Sequence, residues 1–250
     1  MSKFKFIIIL LYLPISIQSQ VINAEKFRIR TDSNGWFGEI GIQGSFINSS
    51  SKITSAESNL LVEYKRTKDI FIAAAYYSFL KGDDVKYLDE AMLHFRYNIK
   101  LNRLFRWEAF TQFQKNEVLH IQTRFLVGTG PRLKIFDTKR IRLYLASLVM
   151  FEYEDELSEP NVIHRDFRSS SYISFSIFPF DKTEIVTTNY FQPLLTQIAD
   201  YRVYCQSSLK IGVAKHFIFS MNLNYAYDQR PPMDILKETS KLTTGITYKI

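Results

Sequence analysis

The sequence predicts an all-β fold: a closed antiparallel transmembrane β-barrel of about 12 strands, preceded by a signal peptide. Three observations lead to this prediction. Apolar and polar residues alternate with a period of two along most of the chain, charges recur on the polar side of neighbouring segments, and short connections alternate with long ones. Successive side chains of a strand point to opposite faces, so this pattern describes a sheet with one ionic face and one aromatic and aliphatic face.

The start of the chain has the features of a secretory signal peptide. Lys3 and Lys5 form a positive beginning, the run Phe6 to Ile17 is apolar, and Ser19 offers a small residue before cleavage. The apolar run is too short for a transmembrane helix. The predicted organisation is therefore a signal peptide at 1–19, an N-terminal lead-in at 20–34 and an outer-membrane β-barrel at 35–250.

Strand-like segments recur from Gly35 to the end of the chain. In the clearest, Phe217, Phe219 and Leu223 alternate with Ser220 and Asn222. The predicted strands are 35–47, 57–66, 69–80, 87–99, 104–114, 118–131, 140–154, 165–178, 183–192, 200–212, 216–228 and 238–250. An even number of strands is typical of single-chain bacterial outer-membrane barrels.

The connections between these segments fall into two kinds. Tight ones follow even-numbered strands, at 67–68, 100–103, 137–139, 180–182 and 213–215. Longer ones follow most odd-numbered strands, at 48–56, 81–86, 155–164, 193–199 and 229–237, and 115–117 is a short exception. Short periplasmic turns and longer external loops are expected when the N- and C-termini are both periplasmic. A soluble β-sandwich has no physical reason to alternate loop lengths in this way.

Charged residues on the polar side predict a row that crosses five strands. Its members are Arg96, Glu108, Arg124, Glu152 and Arg168. Each member and the next one lie the same number of residues from a polar turn between them. Opposite charges facing each other across strands are stabilising. We predict that the row lines the lumen as a charge ladder or forms a constriction there. A slip of two residues in any hairpin would change the partners but not the faces.

The last segment indicates how the chain is assembled. Residues Leu242 to Ile250 alternate up to the final position, like the C-terminal signal by which outer-membrane proteins meet the barrel-assembly machinery. Such signals usually end on Phe or Trp, and Ile250 departs from that. The expected partners are this machinery and outer-membrane lipid.

Several short motifs resemble one family. Its signature of an arginine followed by Gly-x-Gly is similar to the segment Arg124 to Gly130. Its later landmarks resemble Phe151–Glu154, Phe191–Pro193, Asp200–Arg202 and Tyr225–Asp228. The family is that of the YdiY-like, salt-induced outer-membrane proteins. The resemblance implies a β-barrel in the outer membrane and no established molecular function.

Composition and motifs argue against several other functions. The net charge of +7 is not concentrated on a basic helix or an aromatic platform, so nucleic acid is not an expected partner. No nucleophile, base and anion site can be assembled, and no spacing of ligands suggests a metal, so we expect no enzyme, no metal and no cofactor. The single cysteine, Cys205, falls on the apolar side of its strand and is interpreted as a small hydrophobe.

Three functional hypotheses remain from the sequence. The first is an envelope-structural barrel with a polar, charge-paired lumen. The second is a small-solute channel, a possible porin, in which the same Arg and Glu residues form the constriction. The third is a soluble, secreted β-barrel or sandwich that binds a ligand.

Overall fold

The computed structural model describes residues 34–48, 52–83, 85–158, 160–233 and 235–249. The predicted signal peptide lies outside these residues, as does the lead-in up to residue 33. The strands are β1 (Gly35–Asn48), β2 (Lys52–Lys65), β3 (Asp69–Gly82), β4 (Val85–Lys100), β5 (Phe105–Asn116), β6 (Ile121–Asp137), β7 (Ile141–Glu156), β8 (Ile163–Phe180), β9 (Thr183–Pro193), β10 (Tyr201–Gly212), β11 (Phe217–Asp228) and β12 (Glu238–Lys249). Over this part of the chain, no helix is long and apolar enough to cross a membrane.

The twelve strands form one closed antiparallel barrel, as predicted. Each strand pairs with its neighbours in sequence, and β1 pairs with β12, for example at Ile40 and Tyr248. Closure satisfies the backbone hydrogen bonds of both edges, which a sheet in lipid requires.

The two faces of the barrel have the polarity predicted for a membrane protein. Phe95, Phe113 and Phe217 on the outer face are each 48% exposed, whereas Glu108 and Arg124 inside are 0% and 3% exposed. A soluble barrel would bury the aromatic residues and expose the charges. Water-soluble monomers rarely expose continuous apolar belts, so the arrangement opposes a soluble ligand-binding barrel.

An aromatic band marks the end of the barrel that carries the turns between β2 and β3 and between β4 and β5. The ring centroids of Trp36 and Tyr64 are 4.5 Å apart, and those of Phe71 and Tyr97 are 4.7 Å apart. Register places these four outward-facing rings side by side on β1 to β4. Such girdles lie at the membrane–water interface, so the band indicates where the hydrocarbon ends.

The start of β6 differs from the prediction. Residues Glu117–Leu119 form a 3-10 turn in which the Asn116 side chain accepts a hydrogen bond from the Leu119 N–H at 3.1 Å. His120 follows in the left-handed conformation with φ of 55°. This turn shifts the phase of the chain. Alternation along the predicted strand 118–131 puts Leu119 and Ile121 on the apolar, lipid-facing side, but they are 3% and 2% exposed. They lie under the β11–β12 loop, where they share a small cavity with Ile235.

Two of the connections predicted to be long are shorter. β2 begins at Lys52 rather than residue 57, and β3 and β4 extend to Gly82 and from Val85. Residues 52–56, 81–82 and 85–86 therefore continue the sheet beyond the apolar belt instead of forming loops. The three longest connections follow β7, β9 and β11, as predicted.

Candidate functional site

The register of the central hairpins corrects the predicted ladder partners. Glu108 lies opposite Asn98 and Gly130, and Arg124 lies opposite Glu154. Each of these pairings differs from the predicted one. The turn between β4 and β5 shows why: the Asn102 side-chain oxygen Oδ1 accepts hydrogen bonds from the Leu104 and Phe105 N–H groups, so the hairpin closes around the next residue.

The five predicted residues nevertheless all point into the lumen. Arg96, Glu108, Arg124, Glu152 and Arg168 are between 0% and 6% exposed. They form two groups rather than one continuous row. Arg96 and Glu108 belong to the first group, and Arg124, Glu152 and Arg168 to the second.

The first group surrounds the Glu108 carboxylate. Arg96 Nη1 and Arg132 Nη1 lie 3.1 Å and 3.2 Å from its two oxygens, and the Tyr172 hydroxyl donates to Oε2 at 2.5 Å. The Arg132 guanidinium also lies 3.7 Å from the centre of the Tyr144 ring, a cation–π contact. The ladder omitted Arg132, although its position on the polar side of β6 could have indicated it.

The second group surrounds the Glu152 carboxylate. Arg124 Nε lies 3.2 Å from Oε1, Arg168 Nε lies 2.8 Å from Oε2, and Arg202 Nη1 lies 2.5 Å from Oε1. Glu154 pairs with Arg124 and lies 3.4 Å from Arg202 Nη2. Two carboxylates on one strand thus bind arginines from β6, β8 and β10.

This second group extends to the connections at one barrel end. Asp200 Oδ1 lies 3.1 Å from Arg168 Nη1, and Asp228 Oδ2 lies 2.7 Å from Arg202 Nε. Arg230, beyond β11, lies 3.9 Å from Asp200. The cations are Arg124, Arg168, Arg202 and Arg230, and the carboxylates are Glu152, Glu154, Asp200 and Asp228. Buried charges are tolerated when they are paired and hydrogen-bonded, and here the two signs balance.

Apolar side chains occupy the lumen alongside the charged groups, so the lumen is less uniformly polar than predicted. The cluster comprises Phe110, Leu126, Ala146, Leu148, Met150, Tyr172, Tyr190, Tyr204 and Ala226. A cavity of about 10 Å³ is lined by residues of this cluster, His94 and Arg96, which is the space of one water molecule at most. The interior along β4 to β10, here called the charge-filled half, is therefore closely packed.

Two glycines of β6 make this packing possible. A Cβ on Gly128 would lie 2.5 Å from Cε1 of Phe110, and a Cβ on Gly130 would lie 2.4 Å from the Ser147 carbonyl oxygen. Both distances are below any normal contact. In the Gly-x-Gly motif, Gly128 therefore leaves room for the Phe110 ring in the lumen, and Gly130 allows β7 to lie close to β6.

The opposite side of the lumen is more accessible. Lys241 Nζ lies 2.6 Å from the Tyr76 hydroxyl, 3.5 Å from Glu57 and 3.8 Å from Glu90. The side chains of Lys241 and Glu57 are 13% and 16% exposed, against 4% or less for Arg124 and Glu152. The vestibule face is defined as the partly exposed, inward-facing residues Glu57, Asn59, Tyr76, Asn222, Asn224, Lys241 and Thr243.

The chain offers little for metal chemistry within the described ranges. No three His, Cys, Asp or Glu side chains converge there in a way that could hold a metal ion. Cys205 is a free, half-buried thiol on the outer face of β10. The lumen is instead organised by arginine–carboxylate pairing.

A closed twelve-stranded barrel with apolar residues outside and charges inside has the fold of outer-membrane porins and channels. The NanC porin aligns with a TM-score of 0.54 at 12% identity, over 86% of this chain and 99% of its own. The translocator domain of the autotransporter NalP from Neisseria meningitidis aligns with a TM-score of 0.55 at 10% identity, over 87% and 89%. An outer-membrane channel from Pseudomonas putida F1 aligns with a TM-score of 0.53 at 10% identity, over 92% and 100%.

The chain belongs to the family described as "Protein of unknown function, DUF481", whose model matches residues 38–250. This match confirms the resemblance to the YdiY-like proteins. No curated protein sequence matches the chain.

The motifs that resemble those of the YdiY-like family lie close together in the structure. Their charged members are Arg124, Glu152, Glu154, Asp200, Arg202 and Asp228, and all six belong to the group around Glu152. Segments scattered over about half of the barrel thus supply one ion network.

Proposed function

We propose that this protein is an envelope-structural barrel of the bacterial outer membrane, with a lumen held closed along β4 to β10 by paired charges and apolar packing. The observation that carries this proposal is the balanced network around Glu152, whose arginines Arg124, Arg168 and Arg202 are all 6% exposed or less. Charges that neutralise one another inside a packed interior are poor at conducting ions, because they have no accessible site to offer.

The proposal includes a location and two partners. An apolar outer face with an aromatic band supports insertion in lipid, and short turns at the end near that band support periplasmic N- and C-termini. The C-terminal segment Leu242 to Ile250, whose last residue lies outside the described residues, would be recognised by the barrel-assembly machinery. Residues 1–19 would direct export as a signal peptide. No catalytic role is assigned, since the lumen charges are engaged with one another.

Planar-bilayer conductance of the purified barrel tests the closed lumen. The proposal expects no stepwise currents from the wild-type protein. Stepwise currents that change when Arg124→Ala is introduced would contradict it, because they would place the conducting path among the paired arginines. Heat-modifiable migration on gels provides the control that each sample is folded.

A small-solute channel is the second candidate, and the vestibule face favours it. Lys241 and Glu57 keep partial exposure and lie across the lumen from the charge-filled half. A channel along this side would give stepwise currents that change with Lys241→Ala and stay unchanged with Arg124→Ala. The two variants therefore separate the closed barrel, a channel along the vestibule face and a channel through the ladder residues.

A further inference from the structure

Positive charge is concentrated where two neighbouring turns meet at the end of the barrel that carries the aromatic band. The segments are 100–106, which spans the β4–β5 turn, and 134–142, which spans the β6–β7 turn. Their cations are Lys100, Arg103, Arg106, Lys134, Lys139, Arg140 and Arg142, and Asp137 is the only acidic residue in either segment. The Lys134 N–H donates to the Leu104 carbonyl oxygen at 2.8 Å, which holds the segments together.

Three of these seven cations have no ion-pair partner among the described residues. Asp137 binds both Lys134, at 3.1 Å, and Arg142, at 3.0 Å. Within the described ranges, no carboxylate forms an ion pair with Lys100, Arg103 or Arg140. Like charges on two adjacent turns repel one another, so an anion bound between them would be stabilised.

Inside the lumen, the same end holds a further like-charge pair. Register sets Arg106 opposite Arg132, where two cations face each other across strands. Arg132 is compensated by Glu108, which it shares with Arg96.

The rim also has a recess of suitable shape. A depression of about 700 Å³ lies between the β4–β5 turn and the end of β6, lined by Asn102, Arg103, Leu104, Phe105, Lys134, Ile135 and Asp137. Its polar side carries Arg103 and Lys134. Its apolar side carries Leu104 and Phe105, which are 54% and 43% exposed, and Ile135, which is 42% exposed.

The position of the recess relative to the membrane follows from its neighbours. Trp107 lies on the outer face of β5, two residues inside Phe105, and Tyr97 of the aromatic band lies on the adjacent strand, opposite Ala109. Aromatic side chains lie at the headgroup level. The recess is therefore at the depth of lipid phosphates, with its apolar side toward the hydrocarbon.

We propose that this recess binds an anionic glycerophospholipid, with the phosphate against Arg103 and Lys134 and the upper acyl chain against Leu104, Phe105 and Ile135. The inference rests on the membrane placement proposed above and is independent of whether the lumen conducts. Charge complementarity selects an anionic headgroup, and the apolar side of the recess selects a lipid over a free phosphate ion.

Native mass spectrometry of the full barrel in neutral detergent tests the proposal, with phosphatidylglycerol and phosphatidylcholine as probes. Phosphatidylglycerol should bind more tightly. The double variant Arg103→Gln/Lys134→Gln, which removes both cations of the recess, should bind it about 25-fold more weakly, since each cation near an anionic lipid contributes roughly fivefold. The matched control is Lys182→Gln/Lys215→Gln, which removes two cations from other turns at the same end and should change the affinity less than about twofold.

Four outcomes would overturn the proposal. They are equal affinity for the two phospholipids, an equal loss in the control variant, binding of lipid A in place of phosphatidylglycerol, and binding of inorganic phosphate as tight as that of the lipid. Spontaneous insertion into phosphatidylcholine vesicles distinguishes a failure of the lipid site from a failure of the proposed membrane placement. A barrel that inserts but shows no preference refutes only the lipid site, whereas a barrel that does not insert refutes the placement.

Discussion

Charged side chains on the two sides of the lumen are shielded from water to different degrees. In the charge-filled half, Glu152 contacts three arginines and is 1% exposed. On the vestibule face, Glu57 contacts Lys241 and Tyr76 and keeps 16% of its side-chain surface exposed. A carboxylate that water does not reach needs all its hydrogen-bond and ion-pair partners from the protein, whereas water supplies some of the partners of a partly hydrated one. Ion pairs are therefore denser where packing excludes solvent.

The largest expected effect is that of removing the central carboxylate. Glu152→Gln would leave Arg124, Arg168 and Arg202 with fewer negative partners in a site that water does not reach. We expect the free energy of unfolding to fall by about 4 kcal/mol, the usual cost of breaking a buried pair. Denaturant titration in detergent micelles measures this, and a loss below about 1 kcal/mol would show that water reaches the site.

The second-largest effect is expected from disturbing the close packing of β6 against β7, which keeps water out of the charge-filled half. Gly130→Ala would place a Cβ 2.4 Å from the Ser147 carbonyl oxygen, so β6 and β7 must separate. We expect a loss of about 2 kcal/mol. Gly212→Ala is the matched control, because its Cβ would lie 3.3 Å from Lys182 Cβ, a contact that only a small shift relieves. Equal losses in the two variants would contradict a tightly packed β6–β7 contact.

A single hydrogen bond gives a smaller effect. Tyr172→Phe removes the hydroxyl that donates to Glu108, while Arg96 and Arg132 remain. A hydrogen bond to a buried carboxylate contributes about 1.5 kcal/mol, and we expect that loss in the same titration. Tyr153→Phe, on the outer face, is the control and should be neutral. A neutral Tyr172→Phe would mean that the hydroxyl is dispensable to Glu108.

The smallest effect is expected on the vestibule face. Glu57→Gln is isosteric, and water can replace part of the lost interaction with Lys241. We expect a change of about 1 kcal/mol or less, well below that of Glu152→Gln. Similar losses for Glu57→Gln and Glu152→Gln would remove the distinction between the two sides of the lumen.

Much of the fold could be predicted from the sequence because side-chain direction depends on local periodicity alone. The alternation around Arg96, Glu108 and Arg124 assigns each to the lumen whatever its partners are. The partners depend on turn geometry, and the Asn102 turn and the 3-10 turn at Glu117–Leu119 moved them. The joining of Glu152 to Arg202 could not be predicted, because 50 residues separate them and only the curvature of the closed barrel brings them together.

The vestibule face could not be predicted from the sequence for a related reason. Lys241 and Glu57 have the same polar-side pattern as Arg124 and Glu152, so alternation cannot separate accessible positions from packed ones. The difference arises from neighbours such as Phe110, Leu148 and Met150, which fill one side of the lumen. Packing across a barrel is a property of strands distant in sequence.

The most direct test of a packed half beside an accessible one is the reaction of lumen cysteines with a small, charged thiol reagent. Ser174→Cys samples the charge-filled half, where Ser174 is 1% exposed, and Thr243→Cys samples the vestibule face. Both are made in a Cys205→Ser background, which removes the native thiol. Thr243→Cys should react at least about tenfold faster, because the thiolate reacts only where the reagent has access. Equal rates at the two positions would contradict the account.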